Sequence, residues 1–452
     1  MLLYSIKERV RKGSIGLETK KTRSVAVCTL GCRVNLYESE AVSDCFAKRG
    51  FEIRPFPEKS DAYVINTCGV TSESERKSRQ MIRRARSANP SAVVAVMGCA
   101  SQLRPEECAR IGADTVLGTG KKMTVVDKVC ALLDGEKVER IDRESLEPKE
   151  FEKMSAVTQE RARAFVKIED GCDSACAYCC IPKARGRVRS KSPEDVVAEV
   201  RSLVANGFSE VVLTGVETAA YGKGTPYGLI DLLETLEGVE GLRRIRMGSL
   251  EPQWLKADVV DRLAVLSKPM PHYHLSLQSG CTRTLNRMKR RYTAERALEI
   301  IGYMREKLPG VTFGSDFIVG FPGETEEDFC ASAAFVEKAG ILNCHVFAYS
   351  EREGTDAVLL DGKVDEHEKK LRSARFRSVC DATKAKIISG FIEREMPVGA
   401  LFETYKDGYV YGHTDAFIEV RARADEFARP FVTKIKLAKY DKDTQITEGV
   451  IL

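Results

Sequence analysis

Long apolar runs are missing from this 452-residue sequence. None approaches the roughly 20 residues that a membrane-crossing helix needs, so no membrane association is expected. No secretory leader is expected either: the opening Met1-Leu2-Leu3-Tyr4-Ser5-Ile6 runs straight into Lys7, Glu8 and Arg9. The expectation is a soluble cytoplasmic protein with residues 1–22 as a polar extension. Charge of one sign is scarce. The 71 Lys and Arg against 66 Asp and Glu leave a net charge of +5, which permits an RNA partner without demanding one. Histidine is scarce as well, with 5 in the chain and none paired at a zinc-finger spacing. Cysteine, in contrast, is plentiful, with 15 residues. In a reducing compartment disulfides are disfavoured, and thiolate-bound metal becomes the better reading. Cys45, Cys108, Cys130, Cys330 and Cys380 lie in helix-like patterns and read as small buried residues.

The length allows about three domains and the 43% apolar content allows real cores. Val25–Leu30, Ala62–Asn66 and Val93–Met97 read as buried strands with helical segments between them, the mark of a parallel α/β sheet over 23–135. The charged stretch 136–161 has little periodicity and reads as a linker. From residue 162 to 388 about six strand–helix units follow, with strands at Phe165–Glu169, Glu210–Thr214, Arg244–Met247, Tyr273–Leu277, Thr312–Val319 and Cys344–Tyr349. That is a partial (β/α) barrel of six units, whose active site belongs at the carboxyl ends of the strands. Residues 389–452 change to short alternating strands, as in a small all-β barrel.

Each of the first three strands ends in a cysteine: Cys32, Cys68 and Cys99. Parallel strands bring their carboxyl ends to one sheet edge, so three residues distant in sequence can meet there. The sharpest motif is Gly171-Cys172-Asp-Ser-Ala-Cys176-Ala-Tyr178-Cys179. Three thiolates in a tight loop can hold three irons of a 4Fe–4S cube and leave the fourth open. Zinc is the alternative, but it prefers four closed ligands and no partner pair lies nearby. Cys180 is directed away by its neighbour and reads as a non-ligand.

At this loop the sequence resembles the radical S-adenosylmethionine superfamily. The resemblance implies that the open iron chelates S-adenosylmethionine, whose cleavage gives a 5′-deoxyadenosyl radical. From about Arg23 onward the chain resembles the methylthiotransferase family more narrowly. The shared pieces are Leu30-Gly-Cys-Arg-Val-Asn35, Asn66-Thr-Cys-Gly69, Met97-Gly-Cys-Ala100, Ala184-Arg-Gly-Arg-Val-Arg-Ser190, Leu275-Ser-Leu-Gln-Ser-Gly280 and Asp316–Glu324. The resemblance implies a second 4Fe–4S cluster on Cys32, Cys68 and Cys99 beside the first on Cys172, Cys176 and Cys179. It also implies a TRAM-like RNA-binding tail, and an electron donor and a sulfur donor that the sequence does not name. Cys32-Arg33-Val34-Asn35 and Tyr37-Glu-Ser-Glu40 most resemble the type acting on N6-threonylcarbamoyladenosine in the tRNA anticodon stem-loop, at position 37. Isopentenyl-adenosine enzymes usually carry Gln-Met-Asn after this cysteine, and ribosomal-protein aspartate enzymes Pro-Lys-Asn. A non-catalytic iron–sulfur RNA-binding protein is the alternative of another class.

By family position Glu217, Ser249, Gln278 and Asp316 are expected to bind S-adenosylmethionine, and their strand-end location agrees; loop polarity and helix capping are the bland alternative. Gly320 and Gly323 would let the backbone approach the adenine, or simply make a tight turn. Arg185, Arg187 and Arg189 alternate, so an extended segment would present them on one face to phosphates or to a substrate carboxylate. Arg76, Lys77, Arg79, Arg83, Arg84 and Arg86 form a basic helix near the first trio, suited to phosphate contacts. Gly248 stands where the family commonly has serine.

Overall fold

A computed structural model of the protein describes residues 22–143, 150–159 and 161–452. The polar extension therefore lies outside the described residues, apart from its last position. Six strands build the first sheet: β1 (Ser24–Thr29), β2 (Glu52–Arg54), β3 (Ala62–Thr67), β4 (Val93–Gly98), β5 (Thr115–Leu117) and β6 (Ile141–Asp142). Their order is β2-β1-β3-β4-β5-β6, and every pairing is parallel. All six residues of β3 are buried, because helices cover both faces of the sheet. Side chains alternate between two cores: Val25, Val64 and Met97 join one, while Ala26, Ile65 and Val96 join the other.

The segment 136–161 is only partly a linker. Ile141 and Asp142 extend the sheet by a strand, and Met154 and Ala156 are buried against Tyr37 and Ala41. Two residues cannot display a period, so β6 leaves no trace in the sequence pattern.

The second unit contains β7 (Ala164–Lys167), the short antiparallel pair β8 (Glu169–Asp170) and β9 (Arg189–Ser190), then β10 (Glu210–Thr214), β11 (Arg244–Met247), β12 (His272–Gln278), β13 (Thr312–Val319) and β14 (Ile341–Ala348). Two parallel sheets, β11-β10-β7 and β12-β13-β14, are joined through the bridges Ile245–Pro269 and Leu250–Leu275. The six long strands thus form an arc with β7 and β14 at its edges. In β12, Tyr273, Leu275 and Leu277 are buried in the helix-side core, whereas His272, His274, Ser276 and Gln278 are half-buried on the opposite, inner face.

The first domain covers the open side of the arc. Its helix Arg33–Lys48 packs on β7. Beyond β14, Arg352 donates to the Gly69 carbonyl at 2.8 Å and pairs with Glu75. The 28-residue helix Glu366–Glu393 then leads into a closed barrel of β15 (Val398–Lys406), β16 (Tyr409–Thr414), β17 (Glu419–Arg423), β18 (Phe431–Asp441) and β19 (Ile446–Ile451), ordered β15-β16-β17-β19-β18. The loop after β16 sits at the amino ends of the arc. Arg246 donates to the Thr414 and Asp415 carbonyls at 2.8 and 3.1 Å, and Thr312 Oγ1 donates to the Ala416 carbonyl at 2.6 Å. Among the described residues no helix is long and apolar enough to cross a membrane.

Candidate functional site

Three adjacent strands each run into a cysteine. Cys32 heads the helix Arg33–Lys48 after β1, Cys68 follows β3, and Cys99 opens the helix Cys99–Leu103 after β4. The chain leaves β1 for β2 on one side and reaches β3 on the other, so the strand order reverses between β1 and β3. An open parallel sheet forms its binding crevice at the carboxyl ends beside such a reversal. Gly31, with φ +100°, makes the turn after β1, and a side chain there would come within 2.9 Å of Cys68 Sγ. Glycine is therefore what lets the Cys68 sulfur reach the loop that carries Cys32. Cys68 and Cys99 are buried while Cys32 is exposed, so the trio is open on one side. Burial first and Cys99 second push the Cys68 thiol up to about 11, and burial raises Cys99 as well. Thiols of this kind keep their protons at neutral pH unless a metal displaces them.

Cys172, Cys176 and Cys179 lie on the loop after β8, at the carboxyl end of the arc. Each sulfur has its own N–H donor: Ser174 N to Cys172 at 3.4 Å, Arg290 Nη1 to Cys176 at 3.2 Å, and Ile181 N to Cys179 at 3.4 Å. Hydrogen bonds to sulfur are what tune iron–sulfur centres. Burial, then Glu217, pushes the Cys172 thiol up to about 12, and this thiol donates to Glu217 Oε2 at 3.3 Å. Cys180 points the other way and donates to the Gly69 carbonyl at 3.4 Å. Two sulfurs on one zinc ion lie at most about 4.6 Å apart, twice the Zn–S length. Among the described residues the group whose ligand atoms all draw within 4.8 Å of one another is His274, Asp316 and His345, and neither cysteine trio is so tight. The donor sets thus fit a larger thiolate-bound group better than a single ion.

Family comparisons agree with this geometry. The model of the Radical SAM superfamily matches residues 166–336, and that of the Uncharacterized protein family UPF0004 matches residues 24–118. The chain is 38% identical to the threonylcarbamoyladenosine tRNA methylthiotransferase MtaB of Bacillus subtilis (strain 168), across 92% of this chain and 94% of that one. This chain belongs to the radical SAM methylthiotransferase family. The methylthiotransferase is also 30% identical to the tRNA-2-methylthio-N(6)-dimethylallyladenosine synthase of Clostridioides difficile (strain 630), across 84% of this chain and 81% of that one. Its fold is shared with the radical S-adenosylmethionine methyltransferase TsrM from Kitasatospora setae, at TM-score 0.54 and 16% identity over 72% of this chain and 75% of that one. Family membership makes the protein a radical SAM tRNA methylthiotransferase and implies 4Fe–4S chemistry and S-adenosylmethionine.

In this methylthiotransferase the four residues expected at S-adenosylmethionine are all half-buried, but not at one level. Glu217 touches Cys172, and Ser249 follows β11. Gln278 ends β12 in a left-handed backbone conformation, φ +67°, which is costly for a side-chain-bearing residue and recurrent at functional sites. Asp316 lies in mid-strand rather than at the strand end, between His274 Nε2 at 3.2 Å and His345 Nδ1 at 3.0 Å. Gly320 and Gly323 are backed by Lys369 and Arg287, which fill the space a side chain would take, so they serve a packed turn rather than an open approach. A side chain on Gly248 would run within 2.5 Å of Thr218 Oγ1, so the departure from serine goes with a threonine next door.

The arginine readings change most. Arg185, Arg187 and Arg189 do not share an exposed face. Arg185 ends the helix Ile181–Arg185 and is fully buried, Arg187 is exposed, and Arg189 pairs with Asp170 at 3.0 Å. Arg185 reaches Glu38 at 3.0 Å, Asp170 at 2.9 Å, Asn35 Oδ1 at 2.6 Å and, through Nε, Cys99 Sγ at 3.3 Å. Lys122 and Lys167 add to Glu38 at 2.6 and 2.7 Å, and Lys167 reaches Asp170 at 2.7 Å. Four cations thus meet two carboxylates, and the excess positive charge lies against the Cys99 thiol. An anionic thiolate-bound cluster at the first trio would complete this balance. On the basic helix Ser72–Ala88, Arg76, Lys77, Arg79 and Arg86 pair with Glu73, Glu107 or Asp114. Only Arg83 and Arg84 of the six are exposed with no ion pair among the described residues. Sequence reasoning missed Arg290, Glu38 and Lys122 as site residues, because their partners are distant in sequence: Arg290 meets Cys176 114 positions away, and Lys122 and Lys167 meet Glu38 84 and 129 positions away.

Proposed function

We propose that this tRNA methylthiotransferase places a methylthio group on carbon 2 of N6-threonylcarbamoyladenosine at position 37 of the tRNA anticodon stem-loop, in the cytoplasm, using two 4Fe–4S clusters. The observation that carries the two-cluster reading is the gathering of Cys32, Cys68 and Cys99 at the ends of adjacent strands, with Arg185 beside Cys99. The substrate reading is supported by the Cys32-Arg33-Val34-Asn35 sequence and by the 38% identity to the MtaB protein of Bacillus subtilis (strain 168). When bound, the clusters and S-adenosylmethionine would supply a 5′-deoxyadenosyl radical and a methyl group.

The chain's own residues have the following work in this reading. Cys172, Cys176 and Cys179 hold one cluster, and the Arg290 guanidinium and two backbone N–H groups steady the sulfur charge. Cys32, Cys68 and Cys99 hold the other on residues 23–135, with the surplus cations of the Glu38 network as counter-charge. Glu217, Ser249, Gln278 and Asp316 face S-adenosylmethionine within residues 162–388. The tRNA backbone meets Arg83, Arg84 and the barrel of residues 389–452.

Anaerobic reconstitution tests this. Wild-type protein should hold about eight irons and eight sulfides per chain, and Cys68→Ala and Cys176→Ala about four each, as two cubes require. Cys176→Ala alone should abolish 5′-deoxyadenosine formation. Zinc in place of iron, or four irons in the wild type, overturns the two-cluster reading. For the substrate, tRNA from a deletion strain should lose the 2-methylthio group from threonylcarbamoyladenosine and keep it on isopentenyladenosine. The reverse result refutes the substrate assignment.

A further inference from the structure

A cavity of about 390 Å³ lies inside the arc, and all three parts of the chain line it: Arg33 from the first domain, Phe165, Arg246 and His272 from the arc, and His413 and Phe417 from the terminal barrel. This is a volume suited to a small ligand or a flipped-out base. Its floor is flat and aromatic. Phe417 stacks on His272 and His413 with ring centroids 4.9 and 4.6 Å apart, both tilted by 20°.

The cations of the cavity differ in one respect. Arg163 is paired with Glu403 at 3.2 Å, Arg246 with Glu210 at 2.8 Å, and Lys384 donates to Gln445 at 3.2 Å. Arg33 is exposed, lines the cavity, and has no hydrogen bond or ion pair among the described residues. It only overhangs the Phe165 ring, at 5.9 Å. A planar guanidinium with five free donors is a site for a carboxylate, and the acids that line the cavity, Asp381 and Glu419, make no ion pair with it. Arg33 also follows Cys32 directly in the chain, so a carboxylate held there tethers its carrier beside the first trio.

We infer that this cavity takes the amino-acid-bearing substituent of the substrate base and that Arg33 is the residue that recognises its carboxylate. This rests on the substrate reading above and deepens it. A hydrocarbon substituent would bury the guanidinium without a partner, and a site built to hydrogen-bond a polar group rejects analogues that lack it. Arg33 therefore acts as the specificity-determining residue.

The test uses reconstituted full-length enzyme and anticodon stem-loops carrying threonylcarbamoyladenosine or its neutral carboxamide analogue. Binding is measured by fluorescence anisotropy and turnover by nucleoside analysis. Wild type should prefer the carboxylate by roughly 10- to 100-fold in Kd and KM, the range of a charge-assisted hydrogen-bonded pair. Arg33→Gln and Arg33→Met should bring that preference close to one by weakening only the carboxylate substrate, and Arg33→Lys should fall between. If wild type shows the preference and both neutral variants keep it, the Arg33 inference is overturned while the substrate reading stands. If wild type shows no preference and methylthiolates the isopentenyl stem-loop instead, the substrate reading itself has failed, and the Arg33 assignment falls with it.

Discussion

Replacing Glu38 with glutamine should be among the most disruptive single changes away from the cysteines. The Glu38 side chain is fully buried and takes Lys122, Lys167 and Arg185 at 2.6, 2.7 and 3.0 Å. Two of these cations belong to the arc and one to the first domain, so the carboxylate is shared across the domain junction. Glutamine keeps the shape but removes the negative charge. That leaves Lys167, Arg185 and Arg189 on Asp170 alone, leaves Lys122 without a carboxylate partner, and sets the three former Glu38 partners against one another. Breaking a buried pair by removing one partner costs about 3–5 kcal/mol. At roughly 2–4 °C per kcal/mol for a domain of this size, the melting temperature should fall by about 6–20 °C. The cations are not equivalent. Burial, against the pull of Glu38 and with the help of Arg185 and Lys167, pushes the Lys122 ammonium down from its ordinary value, whereas Asp170 and Glu38 hold Lys167 up despite burial. Lys122→Met should therefore restore part of the loss in the Glu38→Gln background, which a double-mutant cycle by calorimetry on reconstituted protein would register. A Glu38→Gln protein that melts within a degree or two of wild type, or a double variant no better than the single one, would falsify the account of the network.

Other outcomes follow from the same kind of accounting of buried charge. Burial alone would raise the Glu210 carboxyl, but Arg246, Arg244 and Arg163 hold it below its ordinary 4.5. Its contribution is thus present above pH 4.5 and is lost as pH falls through the lower folded value. The melting-temperature gap between wild type and Glu210→Gln should be full at pH 7 and shrink on acidification; a gap that ignores pH refutes this. Arg290→Gln should leave the half-buried Glu251 without its 2.7 Å cation and make the cluster proposed on Cys172, Cys176 and Cys179 harder to reduce. An electrochemical titration followed by electron paramagnetic resonance checks it, and an unchanged potential contradicts the role given to Arg290.

The strands were legible wherever a run was long enough to show its period. β3, with six buried residues, and β13, with eight residues, stand out in the sequence, while β2, β5 and β6 are too short to do so. The first trio was legible because a strand followed by glycine and cysteine occurs twice, at Gly31-Cys32 and Gly98-Cys99, and parallel pairing converts that repetition into proximity. What could not be read were the pairings between domains. Arg185 and Arg187 look alike in sequence, yet one is buried on Glu38 and the other is exposed. The difference comes from the helix Ile181–Arg185 ending between them and from an acid 147 positions away. Asp316 was grouped with the strand-end residues although the strand read from the sequence, Thr312–Val319, already runs three residues past it, as β13 does.

The contact between Cys180 and the Gly69 carbonyl has a mechanical meaning. Cys180 is bonded to Cys179, and Gly69 to Cys68, so one short bridge ties together a member of each sulfur trio through two peptide links. The separation of the two trios is thereby a local property of four residues.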